Sequence, residues 1–254
     1  MSAASNHIQN VSVEVRGLRR SFNGAPVLDG VDLRVEPGEV FVIMGPSGSG
    51  KTVLLKHIIG LESPDEGDIL IQNEPIRAAG LRDRYRMAMV FQSAALLTSL
   101  TVGENVGIYL TEHQLKPPRE IASIVSDTLK TVGLPGTENR LPNELSGGMQ
   151  KRVAIARALI IEPQLILYDE PTSELDPLMA VAIGEEILKL RNRLRATSIV
   201  VTHDRQLAFA IADRIAMIMA GKILFVGTPD ELKKNPDQKI QNFLHAELLI
   251  RRSH

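Results

Sequence analysis

A glycine-rich loop between a predicted strand and a predicted helix limits the possible fold most strongly. The loop, Gly45-Pro-Ser-Gly-Ser-Gly-Lys51-Thr52, follows the apolar run Val40–Met44 and precedes Val53–Ile59. Its glycines let backbone N–H groups turn towards phosphates, and the helix start adds its positive dipole end. Lys51 can reach the β- and γ-phosphates, and Thr52 can ligate Mg²⁺. The flanking strand and helix disfavour the alternative, a chance Gly/Ser-rich turn.

The composition narrows the class of protein. The 254 residues are 44% apolar, which is enough for one large α/β domain or two small ones. The formal net charge is −1 and the basic residues are scattered, so nucleic acid is not expected as the main partner. The chain has no cysteine, which excludes disulfides, thiolate catalysis and cysteine-ligated zinc.

Hydrophobic periodicity predicts strands that alternate with helices. The predicted strands are Val11–Val15, Val27–Leu28 with Val31–Val35, Val40–Met44, Gly67–Gln72 (ending in a turn at 73–75), Leu165–Asp169 and Ser198–Thr202. The predicted helices are Pro117–Val132, Ser146–Leu159, Val181–Leu194 and a tail, Gln238–His254, with a basic end. The order predicts antiparallel strands first, then a mostly parallel sheet covered on both faces, with a helical subdomain inserted into it.

Neither export nor a membrane span is expected. Met1–Val15 lacks the basic and apolar regions of a signal peptide. The longest apolar stretches, such as Ile215–Ala220, are much shorter than the ~20 residues of a membrane helix.

Two further motifs carry chemistry. Asp169 ends a buried strand, where it can hold Mg²⁺, and Glu170 points differently and can act as a general base. Adjacent acids solvating a strand end are the alternative. Ser146-Gly147-Gly148 starts a second helix and can bind a second anion, although a plain helix cap has the same pattern. One phosphate loop and a second anion site suggest that two copies of the chain have complementary halves.

In this order the motifs resemble those of the nucleotide-binding subunits of ABC transporters, over nearly the whole chain. Gly45–Thr52 is similar to the Walker A loop, Gln92 to the Q-loop glutamine, and Leu145–Met149 to the signature. Leu165–Glu170 is similar to Walker B with its catalytic acid, 173–176 (Ser-Glu-Leu-Asp) to the D-loop, and His203 to the switch histidine. Phe22 occupies the position of an aromatic residue that stacks on adenine.

The resemblance implies ATP and Mg²⁺ as cofactors, ATP hydrolysis as the activity, and a defined set of site residues. The implied catalytic residues are Glu170, His203 and Lys51, and the implied metal ligands are Thr52, Gln92 and Asp169. The implied nucleotide-binding residues are Phe22, Gly45, Pro46, Ser47, Gly48, Ser49, Gly50, Lys51, Thr52, Val53, Gln92, Ser146, Gly147, Gly148 and Asp169.

Three positions depart from the common pattern. Met149 replaces a glutamine, Phe22 replaces a tyrosine, and Glu174 stands where alanine or glycine is usual. Glu174 brings a carboxylate towards a phosphate-rich interface. It is therefore expected to slow turnover or to pair with a basic residue of a second copy. Asp176, in the same loop, is expected to contact the second copy or to cap the next helix.

The predicted architecture is an α/β P-loop NTPase core with an N-terminal antiparallel β subdomain and an inserted helical subdomain. Residues 1–254 form one nucleotide-binding domain. Residues 11–92 and 160–234 form the core with the β subdomain, 93–159 the helical subdomain, and 235–254 the tail.

The segment Gln92–Val106 is similar to that of the Mla/Ttg2-type lipid-transport ATPases, which serve MCE-domain systems of Gram-negative bacteria. That resemblance implies a homodimer on the cytoplasmic face of the inner membrane, driving a membrane permease that moves phospholipid. The further implied partners are an MCE-domain protein and a small STAS-domain protein. An ABC ATPase for another solute, or one outside transport, is the alternative.

Overall fold

A computed structural model describes residues 10–245. The strands are β1 Val13–Phe22, β2 Ala25–Val35, β3 Val40–Met44, β4 Glu66–Ile71, β5 Glu74–Pro75, β6 Met87–Val90, β7 Leu165–Asp169, β8 Thr197–Thr202, β9 Arg214–Met219 and β10 Lys222–Gly227. The helices are α1 Lys51–Ile58, α2 Leu81–Arg84, α3 Val102–Glu112, α4 Pro118–Thr131, α5 Gly147–Leu159, α6 Pro177–Leu194, α7 Arg205–Ile211, α8 Pro229–Lys233 and α9 Gln238–Leu244, with a short 3₁₀ helix at Pro142–Glu144.

The strands form two sheets. A four-stranded antiparallel sheet has the order β2-β1-β4-β5, and a six-stranded sheet has the order β10-β9-β3-β8-β7-β6. In the larger sheet only the β10–β9 pair is antiparallel. The predicted α/β class is therefore confirmed.

The larger sheet is apolar on both faces because helices or the smaller sheet cover each of them. In β3, Val40, Val42 and Met44 face a core that includes α5 and α6, whereas Phe41 and Ile43 face a second core shared with α1 and the smaller sheet. This explains why the strand reads as an uninterrupted apolar run.

The helices α3, α4 and α5 follow one another between β6 and β7 in the chain, although β6 and β7 are neighbours in the sheet. Packing of α3 and α4 is close: a Cβ at Gly107 would lie 3.1 Å from Ile121 and 3.2 Å from Val125.

Some predicted elements differ in detail. The turn predicted at 73–75 contains the two-residue strand β5, which pairs with β4 at Leu70 and Ile71. The helix predicted from Val181 begins earlier, at Pro177, because Asp176 caps it by accepting from the Met179 N–H at 3.0 Å. Of the predicted tail helix, Gln238–Leu244 is helical, and residues 246–254 lie outside the described residues.

Candidate active site

The predicted site residues lie along one edge of the six-stranded sheet. The neighbouring parallel strands β3, β8, β7 and β6 all end at this edge. Gly45 follows β3, His203 follows β8, Asp169 ends β7, and Gln92 lies two residues beyond β6. The carboxyl ends of parallel strands are where doubly wound sheets bind ligands.

The glycine-rich loop is closely packed on its inner side. A Cβ at Gly45 would lie 2.1 Å from the Ile218 carbonyl oxygen, and one at Gly50 would lie 2.8 Å from the Val27 carbonyl oxygen. Gly50 also has φ +99°, which a side chain disfavours. Glycine is therefore required at both positions for the loop to turn from β3 into α1.

The loop presents polar groups that fit a phosphate. Lys51 is buried, and its Nζ donates to the carbonyl oxygens of Gly45 and Pro46, both at 3.0 Å. The buried Ser49 hydroxyl has no hydrogen-bond partner among the described residues. An orphaned hydroxyl beside a lysine at a helix start suits an anionic oxygen.

Two of the three predicted Mg²⁺ ligands are in direct contact. The Thr52 hydroxyl donates to Asp169 Oδ1 at 2.8 Å. Burial raises the pKa of Asp169, while the Thr52 hydrogen bond opposes that rise. A divalent cation would favour the ionised carboxylate, so the pair fits Mg²⁺.

The third predicted ligand, Gln92, is held differently. Its side chain is exposed and makes no hydrogen bond to Thr52 or Asp169 within residues 10–245. Its backbone carbonyl oxygen instead accepts a hydrogen bond from Lys151 Nζ. This structure therefore groups Thr52 with Asp169 but does not bring the Gln92 amide to them.

An unusual backbone conformation at Glu170 sets the direction of its side chain. Its φ is +46°, and its N–H donates to the Val201 carbonyl oxygen on β8 at 2.9 Å. The residue is only 8% exposed. Its side chain places Oε2 2.9 Å from His203 Nδ1 and 3.2 Å from the His203 backbone nitrogen. Its Oε1 lies 3.5 Å from Lys51 Nζ. A left-handed non-glycine residue in contact with two site residues, Lys51 and His203, is typical of strain at a functional centre.

Phe22 ends β1 and is exposed, so it is not a core residue. The Arg20 guanidinium lies 4.7 Å from the centre of its ring. An exposed ring of this kind can stack on a purine base.

The second anion site lies at the start of α5. The Ser146 hydroxyl accepts from the Met149 N–H at 3.3 Å, Gly147 is open to solvent, and Gly148 packs on Met179 of α6. Among the described residues no hydrogen bond joins Ser146–Gly148 to the glycine-rich loop.

Two cations on α5 were not singled out from the sequence. Lys151 contacts the Gln92 backbone and the Ser173 hydroxyl, and Arg157 contacts the backbone of Ala94 and Ala95. The sequence gives one indication of their role: both positive charges lie in a helical segment that is otherwise rich in apolar residues, and the structure shows most of those residues to be buried.

The sequence model of the family described as "ABC transporter" matches residues 28–173, which is more than half of the chain. This chain belongs to the ABC transporter family. It is an ATPase that binds ATP with Mg²⁺.

Curated relatives cover most of the chain. It is 37% identical to the probable ribonucleotide transport ATP-binding protein mkl of Mycobacterium leprae, over 93% of this chain and 69% of that protein. It is 39% identical to the Fe(3+) ions import ATP-binding protein FbpC of Escherichia coli K12, over 88% of this chain and 64% of that protein. The chloroplastic protein TRIGALACTOSYLDIACYLGLYCEROL 3 of Arabidopsis thaliana is 38% identical, over 94% of this chain and 75% of its own length.

Two solved structures of the ATP-binding cassette MJ0796 have the same fold. One is a dimeric post-hydrolysis state bound to ADP and Pi, with a TM-score of 0.77, and the other is a dimeric bacterial ABC transporter cassette, with a TM-score of 0.78. Each is 33% identical to this chain and covers 85% of it and 98% of the solved chain.

Proposed function

We propose that two copies of this chain bind two Mg·ATP between them, each in contact with the glycine-rich loop of one copy and Ser146–Gly148 of the other. The proposal rests on the observation that, within residues 10–245, no hydrogen bond joins the two anion sites of one chain. Ser146 and Gly147 are exposed at a capped helix start, without a hydrogen bond to the loop of their own chain. The MJ0796 cassettes, which have this fold, are described as dimeric.

In this proposal the residues of the chain have separate roles in ATP hydrolysis. Lys51 and the loop N–H groups bind the phosphates. Thr52 and Asp169 would hold Mg²⁺, which would supply positive charge beside the phosphate oxygens. Glu170 takes the proton of the attacking water, the His203 backbone N–H holds the Glu170 carboxylate in place, and the His203 imidazole donates to the γ-phosphate. Closure of a second copy excludes water and strengthens these electrostatic contacts.

We further propose that the ATPase acts peripherally, on the cytoplasmic face of the inner membrane, bound to a permease. Among residues 10–245 no helix is long and apolar enough to cross a membrane. The segment after Gln92 carries the exposed Leu97, whose backbone is held in place by hydrogen bonds with the Asn105 side chain. Single exposed leucines are common on protein surfaces, so the assignment of Leu97 to the permease contact rests on the resemblance of Gln92–Val106 to the Mla/Ttg2-type ATPases.

Phospholipid is the proposed cargo of the complex. The Gln92–Val106 segment is similar to that of Mla/Ttg2-type ATPases, and one relative is named for a galactolipid. The proposed partners are therefore an MCE-domain lipid-binding protein and a small STAS-domain protein. Other relatives are named for ribonucleotide and Fe(3+) transport, so a permease for another solute is the rival function.

A paired purification tests this assignment. The tagged chain is isolated from its host membranes in mild detergent, and the bound proteins and lipids are identified. Leu97→Asp is compared with Leu61→Asp, since both leucines are exposed (45% and 55%) but Leu61 lies far from Gln92 in the sequence.

We expect the wild type and Leu61→Asp to retain a permease, an MCE-domain protein and phospholipid, and Leu97→Asp to lose the permease. Co-purification of a permease with a binding protein for iron or nucleotides, and without phospholipid, would overturn the phospholipid assignment.

A further inference from the structure

Lys151 joins the helix α5 to two loops. It lies in the second turn of α5 and is only 6% exposed. Its Nζ donates to the backbone carbonyl oxygen of Gln92 and to the Ser173 hydroxyl, the latter at 3.1 Å. One buried cation therefore joins α5, which Ser146 caps, to two loops. One loop follows β6 and contains Gln92, and the other follows Glu170 and contains Ser173.

A second cation on the same helix holds the same loop. Arg157 donates to the carbonyl oxygens of Ala95 and Ala94 at 2.7 and 2.9 Å. Both alanines have left-handed backbones, with φ +47° and +59°, a conformation that is unfavourable for an L-residue. The loop is thus kept in a strained shape by hydrogen bonds from α5 to its backbone.

Glu174 lies close enough to Lys151 to influence its pKa. Burial lowers the pKa of Lys151, and the carboxylate of Glu174, followed by those of Asp169 and Glu170, opposes that effect. The sequence suggested that Glu174 pairs with a basic residue of a second copy. The structure gives it a cationic neighbour in its own chain.

We propose that Lys151 is a positioning residue that couples the two half-sites carried by each chain. This inference rests on the proposed two-copy arrangement, in which Ser146–Gly148 serve the ATP of the other copy. Through Lys151, a shift of that helix start is transmitted to Gln92 and Ser173, beside the chain's own ATP. Lys151 touches no phosphate in this scheme, and its role is to make the two ATP sites respond to each other.

The direct test is the ATP dependence of hydrolysis by the purified full-length chain. In the wild type we expect a Hill coefficient near 2, because two sites are coupled through one dimer. In Lys151→Met we expect it to fall towards 1 and kcat to fall about tenfold, with affinity for a fluorescent ATP analogue changed less than about twofold. Lys151→Arg, which keeps the cation, should restore cooperativity at least in part.

Arg152→Met is the matched control. Arg152 is the next residue on α5 and donates to the Val132 carbonyl oxygen at 3.5 Å, away from Gln92 and Ser173. A purely structural effect of removing a cation from α5 would lower thermal stability in both variants, but only Lys151→Met should lose cooperativity. Equal loss of cooperativity in the two variants would overturn the proposal.

Ser173→Ala provides a second line of evidence if Lys151→Met does not fold. Because the Ser173 hydroxyl accepts a hydrogen bond from Lys151 Nζ at 3.1 Å, its removal should itself lower the Hill coefficient. Unchanged cooperativity in Ser173→Ala, or in a folded Lys151→Met, would contradict the coupling role.

Light scattering tests the two-copy arrangement independently of the role of Lys151. If the wild type and Glu170→Gln never associate in ATP, the two-copy proposal itself is wrong. If they associate while Lys151→Met keeps its cooperativity, only the role of Lys151 is wrong.

Discussion

Replacing Glu170 with glutamine is the most informative single change in the site. The substitution keeps the size and shape of a side chain that is 8% exposed and lies between Lys51 and His203. It removes the negative charge and the ability to accept a proton. Because the Glu170 N–H is bound to the Val201 carbonyl oxygen, the strained backbone does not depend on the carboxylate, and we expect the variant to fold.

The magnitude follows from the role of a general base. A positioned base contributes about 10²- to 10⁴-fold to the rate, which corresponds to about 3–5 kcal/mol of barrier height. ATP should bind at least as tightly as in the wild type, because a negative charge near the γ-phosphate is lost while Lys51 remains. The variant should therefore accumulate as an ATP-bound dimer.

The assays are phosphate release for kcat and fluorescent-nucleotide titration for affinity. Glu186→Gln is the matched control, because Glu186 is equally buried (8% exposed) but lies on α6, outside the proposed site. It should hydrolyse ATP at nearly the wild-type rate. Turnover by Glu170→Gln within about threefold of the wild type would refute the general-base role.

Three further changes have expected outcomes. Gly45→Ala forces a Cβ to within 2.1 Å of the Ile218 carbonyl oxygen, so it should lower the thermal midpoint by more than Gly147→Ala, whose Cβ meets open space. Burial raises the pKa of Glu186 despite the nearby Lys189. The stability tied to its proton is therefore lost as pH rises through the raised pKa. The stabilising effect of Glu186→Gln on the thermal midpoint should accordingly grow as pH rises above the ordinary carboxyl pKa of 4.5. Phe22→Ala should raise KM about three- to tenfold, equally for ATP and GTP, if stacking contributes about 1 kcal/mol. A shift for ATP alone would argue against simple stacking.

Local physics explains why the loop and its flanking elements are predictable. The order of strand, glycine loop and helix depends on neighbouring residues, and Gly45 and Gly50 lie where a side chain would collide. The strand β7 is easy to predict from the sequence because it is short and almost entirely apolar, as expected of a strand that is buried on both faces. The same features predicted where Asp169 and Glu170 lie in the fold.

Elements that depend on distant pairing were harder to predict. The apolar character of Ile215–Ala220 does not by itself indicate a strand, yet most of this stretch lies in β9, next to β3 in the sheet.

The helix α3 was missed for a different reason, because its signal is local. Thr101 and Glu104 form a reciprocal capping box that the sequence could have revealed.

The contacts of Lys151 could not be predicted from its neighbours in the sequence. Its partners, Gln92 and Ser173, are 59 and 22 residues away, and they meet it only because β6, β7 and α5 pack together. The same holds for Glu174, whose cationic neighbour in its own chain depends on the tertiary fold.

The absence of cysteine allows a direct measurement of the central claim, that two copies complete each ATP site. One tagged chain carries Ser47→Cys in the glycine-rich loop, and a second, differently tagged chain carries Ser146→Cys. Both also carry Glu170→Gln, and a short bifunctional thiol reagent is added with or without Mg·ATP. The account predicts an ATP-dependent cross-link between the two tagged chains. No cross-link between chains in ATP, with one forming inside a single chain that carries both cysteines, would contradict it.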